Sequence, residues 1–194
     1  MIRLWDPGTV VELGVLDNHT GPVRALSAVL TQDGRSLLAS GSDDRTVRVW
    51  NLEGRTTVAT LEGHTDWMRG VALASRPDGR VLLASASDDR TIRLWDPDKP
   101  ASRLGREGHT VRVRGVALMS AADDGPLLAS AGADHTVRLW DPDDGRVRAT
   151  LTGHINRVRS VVSGPGRTVS FFWSPAAKTH TLINNPRLPS NPVR

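Results

Sequence analysis

A period of 45 residues constrains this chain more than any other feature of its sequence. A tryptophan recurs at that spacing as Trp5, Trp50, Trp95 and Trp140, and a histidine recurs as His19, His64, His109 and His154. Three segments between these marks align without gaps: LASGSDDRTVRVW (38–50), LASASDDRTIRLW (83–95) and LASAGADHTVRLW (128–140). Self-similarity at a fixed period indicates equivalent structural units, each of which buries its apolar face against the next.

Each unit contains short apolar runs separated by turn residues. In the first complete unit the runs cover 24–30, 36–40, 46–50 and 57–61. The third run alternates and carries β-branched residues at Thr46, Val47 and Val49, which favours a strand. No stretch has a convincing helical period. Four strands in about 45 residues are typical of one blade of a β-propeller, so the sequence predicts an all-β fold.

Gly-His followed roughly thirty residues later by Trp-Asp resembles the WD-repeat family of β-propellers, and the resemblance covers residues 1–163. It implies a hydrogen-bonded tetrad of His, Ser, Asp and Trp in each blade. By position the complete tetrads are His19, Ser40, Asp44 and Trp50; His64, Ser85, Asp89 and Trp95; and His109, Ser130, Asp134 and Trp140. Such a network satisfies buried polar groups, each of which costs about 1–3 kcal/mol when left unpaired.

The repeat is incomplete at both ends. Residues 1–16 supply a third and a fourth strand, and 154–173 supply a first and a second. Complete blades are expected at about 19–61, 64–106 and 109–151, within a propeller that covers 1–173. Residues 174–194 are expected to form a degenerate, disordered tail.

The two partial blades allow two architectures. Together they would make a fourth blade and close a four-bladed ring; apart, they leave an incomplete ring. An incomplete ring exposes a blade face and a sheet edge, which favours self-association, for example of two half-rings into one ring of roughly eight blades.

Composition narrows the classes of function. Cysteine is absent, which excludes disulfides and thiolate metal sites and fits a reducing cytoplasm. The sequence shows no signal peptide and no run of about 18 apolar residues, so we expect a cytoplasmic protein without a membrane span. All but Lys99 and Lys178 of the 25 basic residues are arginine, a bias that indicates a GC-rich bacterial genome as readily as a ligand.

The sequence lacks the signatures of an enzyme, such as a phosphate-binding loop, a nucleophile elbow or an HExxH motif. Ser, His and Asp recur in every blade, whereas a catalytic nucleophile is placed once, so no catalytic residue, metal site or cofactor is predicted. The doublets Asp43-Asp44 and Asp88-Asp89 are interpreted in the same way. The second Asp of each belongs to a tetrad, and the first is expected to be exposed at a turn.

The positions just after each repeating His indicate a binding surface. The fifth residue after it is always arginine, and we call this set the arginine crown: Arg24, Arg69, Arg114 and Arg159. The third residue is Pro22, Trp67, Arg112 or Arg157, and the residue between is apolar. Alternation along a strand turns both flanking positions away from the core. The predicted partner-binding residues are therefore Trp67, Arg24, Arg69, Arg112, Arg114, Arg157 and Arg159.

We interpret the chain as a non-catalytic scaffold that binds a protein or peptide, acidic in character, on this rim. Three alternatives stay open at this point. The crown would bind nucleic acid, although few aromatic residues are available for base stacking. The chain would be a truncated fragment of a larger WD-repeat signalling protein, with little activity alone. The arginines would simply be solvated strand ends, with Trp67 packed on a neighbour.

Overall fold

The structure, a computed structural model, describes residues 1–119, 127–163, 169–172 and 180–182, with side chains at 1–99, 108–119 and 127–162. The described residues form seventeen β-strands in five antiparallel sheets and no helix. The fold is all-β, as the repeat predicts. No helix able to cross a membrane was found among these residues.

The strands follow one another as meanders. The N-terminal sheet contains β1 (Ile2–Trp5) and β2 (Glu12–Leu16). Blade 1 contains β3 (Val23–Leu30), β4 (Ser36–Ser42), β5 (Val47–Asn51) and β6 (Thr56–Leu61). Blade 2 contains β7 (Met68–Ser75), β8 (Val81–Ser87), β9 (Thr91–Asp96) and β10 (Lys99–Glu107). Blade 3 contains β11 (Val113–Met119), β12 (Leu127–Gly132), β13 (Val137–Trp140) and β14 (Val147–Leu151). The C-terminal sheet contains β15 (Ser160–Ser163), β16 (Val169–Phe172) and β17 (His180–Leu182).

Glycines make the tight turns between the first two strands of blades 1 and 2. Gly34 and Gly79 have φ values of +85° and +79°, a left-handed conformation that costs glycine little because it has no Cβ. Each donates its N–H to the carbonyl three residues earlier, at 3.0 Å to Thr31 and 2.9 Å to Arg76. These turns return the chain directly into the second strand.

The strand register is the same in all three blades. Between the second and third strands, Ser40 pairs with Arg48, Ser85 with Arg93, and Ser130 with Arg138. A one-residue slip would move every side chain to the opposite face of its sheet. The shared register therefore places equivalent residues of the repeat at equivalent sites in each blade.

The core consists of apolar layers between successive sheets. Leu37, Val49 and Leu83 belong to the layer between blades 1 and 2. A second layer joins blades 2 and 3, and a third joins blade 3 to the residues around β15, where Val161 is buried. The second strands are covered on both faces, and they consist of apolar and small residues instead of alternating with polar ones.

Glycines also let the innermost strands approach one another closely. A Cβ on Gly70 would lie 3.1 Å from the Cα of Gly115, and a Cβ on Gly115 would lie 3.3 Å from the Cα of Ser160. The backbones of β7, β11 and β15 are therefore near neighbours at the centre of the molecule. The arginine that precedes each of these small residues is carried to the same place.

The ring is open. Among the described residues, the N-terminal and C-terminal sheets are separate, and no strand of one pairs with a strand of the other. The structure thus has three complete blades with partial sheets at both ends, the incomplete ring of the two architectures that the sequence allows. The N-terminal sheet packs on blade 1 through Ile2 and Leu16, which contact the layer of Leu38 and Trp50.

One strand lies in the segment for which the sequence predicts a disordered tail. β17 places His180–Leu182 beside β16, with Leu182 opposite Val169. The rest of 174–194 lies outside the described residues, as do 164–168 and 173 of the C-terminal partial blade.

Candidate functional site

Each complete blade contains a chain of hydrogen bonds through a His, a Ser, an Asp and a Trp. In blade 1, His19 Nδ1 lies 2.7 Å from Asp44 Oδ2, and its Nε2 lies 2.7 Å from Ser40 Oγ. Trp50 Nε1 donates to the same Ser40 hydroxyl over 2.8 Å. With a neutral imidazole protonated at Nδ1, each donor in this chain meets an acceptor.

The geometry repeats in the next two blades. The distances from His to Asp, His to Ser and Trp to Ser are 2.7, 2.8 and 2.8 Å for His64, Asp89, Ser85 and Trp95. They are 2.9, 2.8 and 2.8 Å for His109, Asp134, Ser130 and Trp140. The structure thus brings together the twelve residues that the resemblance assigns to tetrads, in three sets of four.

The aspartate of each tetrad also joins two loops. Asp44 accepts hydrogen bonds from the backbone N–H of Thr20 and of Thr46, both at 3.0 Å. The loop before the first strand is thereby fastened to the turn before the third. Asp89 and Asp134 accept the equivalent backbone bonds in blades 2 and 3.

These hydrogen bonds hold the carboxyl groups in the ionised form. Burial raises the pKa of Asp44, but hydrogen bonds from Thr46, His19 and the backbone outweigh it and lower that pKa to about 2. The pKa values of Asp89 and Asp134 are lowered against the same opposition from burial. Burial also lowers the pKa of His109, which favours its neutral form.

The tetrads lie inside the fold. Ser40, Ser85 and Ser130 have no exposed surface, so a substrate has no access to their hydroxyl groups. The described residues hold no group of three or more His, Cys, Asp or Glu side chains arranged to bind a metal ion. The tetrads act within the architecture, where they tie turns to sheets.

The four arginines of the crown line one open cleft at the centre of the molecule. The cleft has a volume of about 570 Å³, and the inner strands β3, β7, β11 and β15 form its walls. Arg24 and Arg159 are exposed there, and Arg69 and Arg114 are partly buried. The structure therefore brings together side chains that are 45 residues apart along the chain.

The expectation that Asp43 and Asp88 are exposed is wrong. Asp88 is only 6% exposed and bonds to Arg69 at 2.5 Å, and Asp43 bonds to Arg24 at 2.5 Å. The reason is a backbone contact. The N–H of Asp43 donates to the carbonyl of Pro22, and that of Asp88 to the carbonyl of Trp67, both at 2.9 Å. This folds each carboxylate back onto the crown arginine of its own blade.

These ion pairs neutralise half of the crown. The hydrogen bond that Arg24 donates to Asp43 raises the pKa of Arg24, and the one that Arg69 donates to Asp88 raises the pKa of Arg69. Arg112 also approaches Asp88, with 3.8 Å between its Nε and the carboxylate. Two guanidinium groups, one from blade 2 and one from the loop before blade 3, therefore lie around a single buried carboxylate.

Blade 3 lacks the carboxylate. Ala133 occupies the place of Asp43 and Asp88, and Arg114 has no carboxylate partner among the described residues. Burial lowers the pKa of Arg114, and the charges of neighbouring arginines lower it further, against the opposing charge of Asp88. The positive charge of the crown is therefore uneven, because Arg24 and Arg69 are paired with carboxylates and, within the described ranges, Arg114 is not.

Trp67 lies beside this region at the rim. It is 48% exposed, and the guanidinium carbon of Arg69 lies 5.3 Å from the centre of its ring. That distance is within the range of a cation–π interaction. Arg112 and Arg157 are exposed, and their charges lower the pKa of Arg114.

Sequence reasoning missed the ion pairs of the crown. The available signal was the spacing of 19 residues that separates Arg24 from Asp43 and Arg69 from Asp88. Antiparallel pairing of the first two strands, with Val23 opposite Ser42 and Met68 opposite Ser87, brings the members of each pair together.

Equivalent four-stranded meanders packed face to face around a central cleft define an incomplete β-propeller. Comparison with known families agrees. Segments 11–51, 55–96 and 101–141 each match the WD40 family, described as WD domain, G-beta repeat. These matches cover more than half of the chain, and the protein belongs to the WD40-repeat family. A search of curated proteins found no match to it.

Each match straddles two sheets. The segment 11–51 runs from β2 to β5, and 55–96 runs from β6 to β9. The sequence repeat therefore links the last strand of one sheet to the first three of the next. WD40 repeats generally mediate protein–protein interaction, and the proteins that contain them are typically non-catalytic scaffolds.

Proposed function

We propose that this protein binds an acidic protein segment on its rim, at a surface centred on Trp67. The observation that carries the proposal is a half-exposed indole stacked by one arginine and flanked by others. Exposed aromatic and arginine side chains together are the composition of interface hot spots. We call this surface the Trp67 rim; its members are Trp67, Arg69, Arg112, Arg114 and Arg157.

The Trp67 rim is pre-organised. Arg69 is held against the indole by its bond to Asp88, and the backbone N–H of Trp67 donates to Asp66 at 2.8 Å. The carbonyl of Trp67 accepts a hydrogen bond from the backbone N–H of Asp88. A surface that is already ordered loses little conformational entropy when it binds, which favours affinity.

Charge indicates the acidic character of the partner. Arg24 is neutralised by Asp43, and Asp88 is shared by Arg69 and Arg112. Arg114 has no such partner, and Arg157 adds a further charge nearby. Positive charge that the described residues leave unpaired therefore lies around Arg114 on the same rim, where carboxylate or phosphate groups of a bound segment would form charge-assisted hydrogen bonds.

The test is selection of peptides from a displayed random library on the immobilised protein, followed by affinity measurement. Selected peptides should be enriched in Asp and Glu. The double variant Trp67→Ala, Arg69→Ala should bind them at least about tenfold more weakly. The matched control is Arg146→Ala, Val147→Ala, because these residues are an exposed arginine and an exposed apolar side chain elsewhere.

Two results would overturn the proposal. One is equal binding by the rim variant and the control. The other is preferential capture of oligonucleotides, with an affinity that falls steeply between low and moderate salt, which would assign the crown to nucleic acid.

We also propose that the chain associates with a second copy of itself through the open end of the ring. Leu26 on β3 is 51% exposed, whereas its equivalents Val71 and Val116 are each 7% exposed because a preceding blade covers them. Trp5 is 52% exposed, whereas Trp50 is 1% exposed. In blades 2 and 3 the equivalent face is covered by another blade. The exposed face of blade 1 is therefore best matched by a blade of a second copy.

A further inference from the structure

Blade 3 differs from blades 1 and 2 by one missing carboxylate. Asp43 bonds to Arg24, and Asp88 bonds to Arg69, each at 2.5 Å. In blade 3 the equivalent arginine is Arg114 and the equivalent of the aspartate is Ala133. A cation that the repeat otherwise pairs inside its own blade is left without an internal partner among the described residues.

The backbone bond that positions the missing carboxylate is retained in blade 3. The N–H of Ala133 donates to the carbonyl of Arg112 at 2.9 Å, the same bond that positions Asp43 and Asp88. Blade 3 therefore keeps the turn that presents an acidic side chain to the crown arginine. Only the side chain is absent, so the place of its oxygens is defined by the other two blades.

Several cations surround this place. Arg114 is partly buried, and Arg69, Arg112 and Arg157 are near enough to lower its pKa. Arg69 is bound by Asp88 at 2.5 Å, whereas Arg112 contacts the same carboxylate only at 3.8 Å. The side chains of Arg112 and Arg157 are mainly exposed and can turn toward a ligand. Uncompensated positive charge in a partly buried cleft is relieved by an anion.

We propose that the space beside Ala133 is a binding site for one anionic group, held by Arg114 with Arg112 and Arg157, which we call the Arg114 site. Its ligand is a carboxylate or phosphate group, which a guanidinium holds through two parallel N–H bonds. The ligand replaces the carboxylate that blades 1 and 2 carry themselves. The inference rests on the proposed function only for the source of the group, an acidic side chain of the bound segment.

The decisive variant is Ala133→Asp, which restores the internal carboxylate without removing any arginine. Blades 1 and 2 show that this fold accommodates aspartate at the position. Ala133→Ser is the matched control, because it is also small and polar but carries no charge. The probes are inorganic phosphate and acetate, titrated separately at constant ionic strength, with the guanidinium Nε–H signals followed by NMR.

In the unmodified protein we expect saturable shifts of the Arg114 signal with one or both anions, and the stronger response identifies the ligand as phosphate-like or carboxylate-like. Ala133→Asp should weaken this binding by at least about tenfold, whereas Ala133→Ser should retain it. Absence of a saturable shift with both anions, or equal binding by the unmodified protein and Ala133→Asp, overturns the Arg114 site.

A second readout needs no ligand. In anion-free buffer, Ala133→Asp should raise the midpoint of thermal unfolding, because the new carboxylate neutralises a partly buried cation. Ala133→Ser should not raise the midpoint of thermal unfolding. A lower midpoint for Ala133→Asp would show that the carboxylate does not reach Arg114, and it would contradict the inference.

Failure of this inference and failure of the proposed function are distinguishable. If Trp67→Ala, Arg69→Ala loses peptide binding while neither anion shifts Arg114, the rim proposal stands and the Arg114 site falls. If phosphate or acetate binds and Ala133→Asp abolishes it, the Arg114 site stands whether or not peptides bind through Trp67.

Discussion

At the scale of single residues, the serine of each tetrad is the link between the imidazole and the indole. Ser85 accepts from Trp95 Nε1 at 2.8 Å and meets His64 Nε2 at 2.8 Å, with no exposed surface. Neither the indole nor the imidazole has access to water at these atoms once the hydroxyl is removed. The stability of a blade therefore depends on one small side chain.

Ser85→Ala should destabilise the protein, because it leaves the indole N–H and the imidazole nitrogen unpaired in the core. We expect a loss of about 2–4 kcal/mol in the free energy of unfolding, measured by urea denaturation. The matched control is Ser75→Ala: the Ser75 hydroxyl is buried and has no hydrogen-bond partner in the part of the chain that the structure describes, so its removal should cost little. Equal effects of the two substitutions would contradict this account.

The residues of the site were predictable to different degrees. The tetrad positions follow from repetition and resemblance, since four residue types recur in register. The pairing of Asp88 with Arg69 does not, because it depends on a backbone bond between Asp88 and Trp67. Gly132 is a further residue that repetition does not predict. Blades 1 and 2 have serine at the equivalent position, whereas in blade 3 a Cβ on Gly132 would overlap the side chain of His109.

At the scale of strands and turns, the tetrads act as clamps between consecutive elements. The Asp134 carboxylate accepts from the N–H of Thr110 at 3.1 Å and from that of Thr136 at 3.2 Å, so it joins the loop before β11 to the turn before β13. The clamp requires an ionised Asp and a neutral His. Its strength should therefore depend on pH.

We expect stability to fall as the solution is acidified. The pKa of Asp44 is about 2 in the folded protein, below its ordinary 3.8, so its contribution is complete above pH 3.8 and is lost as the pH falls toward 2. The lowered pKa of His109 adds a loss that begins below its ordinary 6.5, where the unfolded chain binds the proton more readily.

The measurement is the midpoint of thermal unfolding by circular dichroism from pH 8 down to about pH 2, at constant ionic strength. Asp44→Asn should lower the midpoint at neutral pH and flatten the acid limb, because it removes one carboxylate that must be ionised. A midpoint that rises between pH 6.5 and pH 4 would show that the clamps do not depend on these protonation states.

Local sequence predicts strands well only where the repeat holds. The third strand of blade 1 was expected at 46–50 and is Val47–Asn51, close to the pattern of alternating residues. β17 has no repeat signal, and it is a strand because β16 offers it an edge for pairing. A strand that is fixed by its neighbour, and not by its own propensity, cannot be found from local pattern.

At the scale of the whole molecule, the order of strands explains why consecutive blades hold together and why the ring is open. Each family match links the last strand of one sheet to the next sheet, so consecutive blades are connected covalently as well as packed. The 45-residue period predicts this connection between consecutive blades. It cannot decide whether the two terminal sheets meet, because that depends on pairing between distant segments, and within the described ranges the two sheets remain separate.

The open end exposes apolar surface that elsewhere in the fold is covered. Leu26 and Leu30 are 51% and 70% exposed on β3, and Val162 is 43% exposed near the other end of the ring. The two surfaces belong to opposite ends of the same series of blades. Contact of one with the other in a second copy would be head to tail, and two copies would bring together roughly eight blades, the upper end of the usual range for propellers.

Light scattering should therefore give a mass near twice the 21.0 kDa of the chain at sufficient concentration. Leu26→Glu places a charge on the uncovered face, so it should shift the protein to the monomer while its circular dichroism spectrum stays unchanged. Val147→Glu is the matched control, because Val147 is 43% exposed on β14, away from that face. A monomeric mass for the unmodified protein at every concentration, or equal dissociation by both variants, would show that the uncovered face does not bind a second copy.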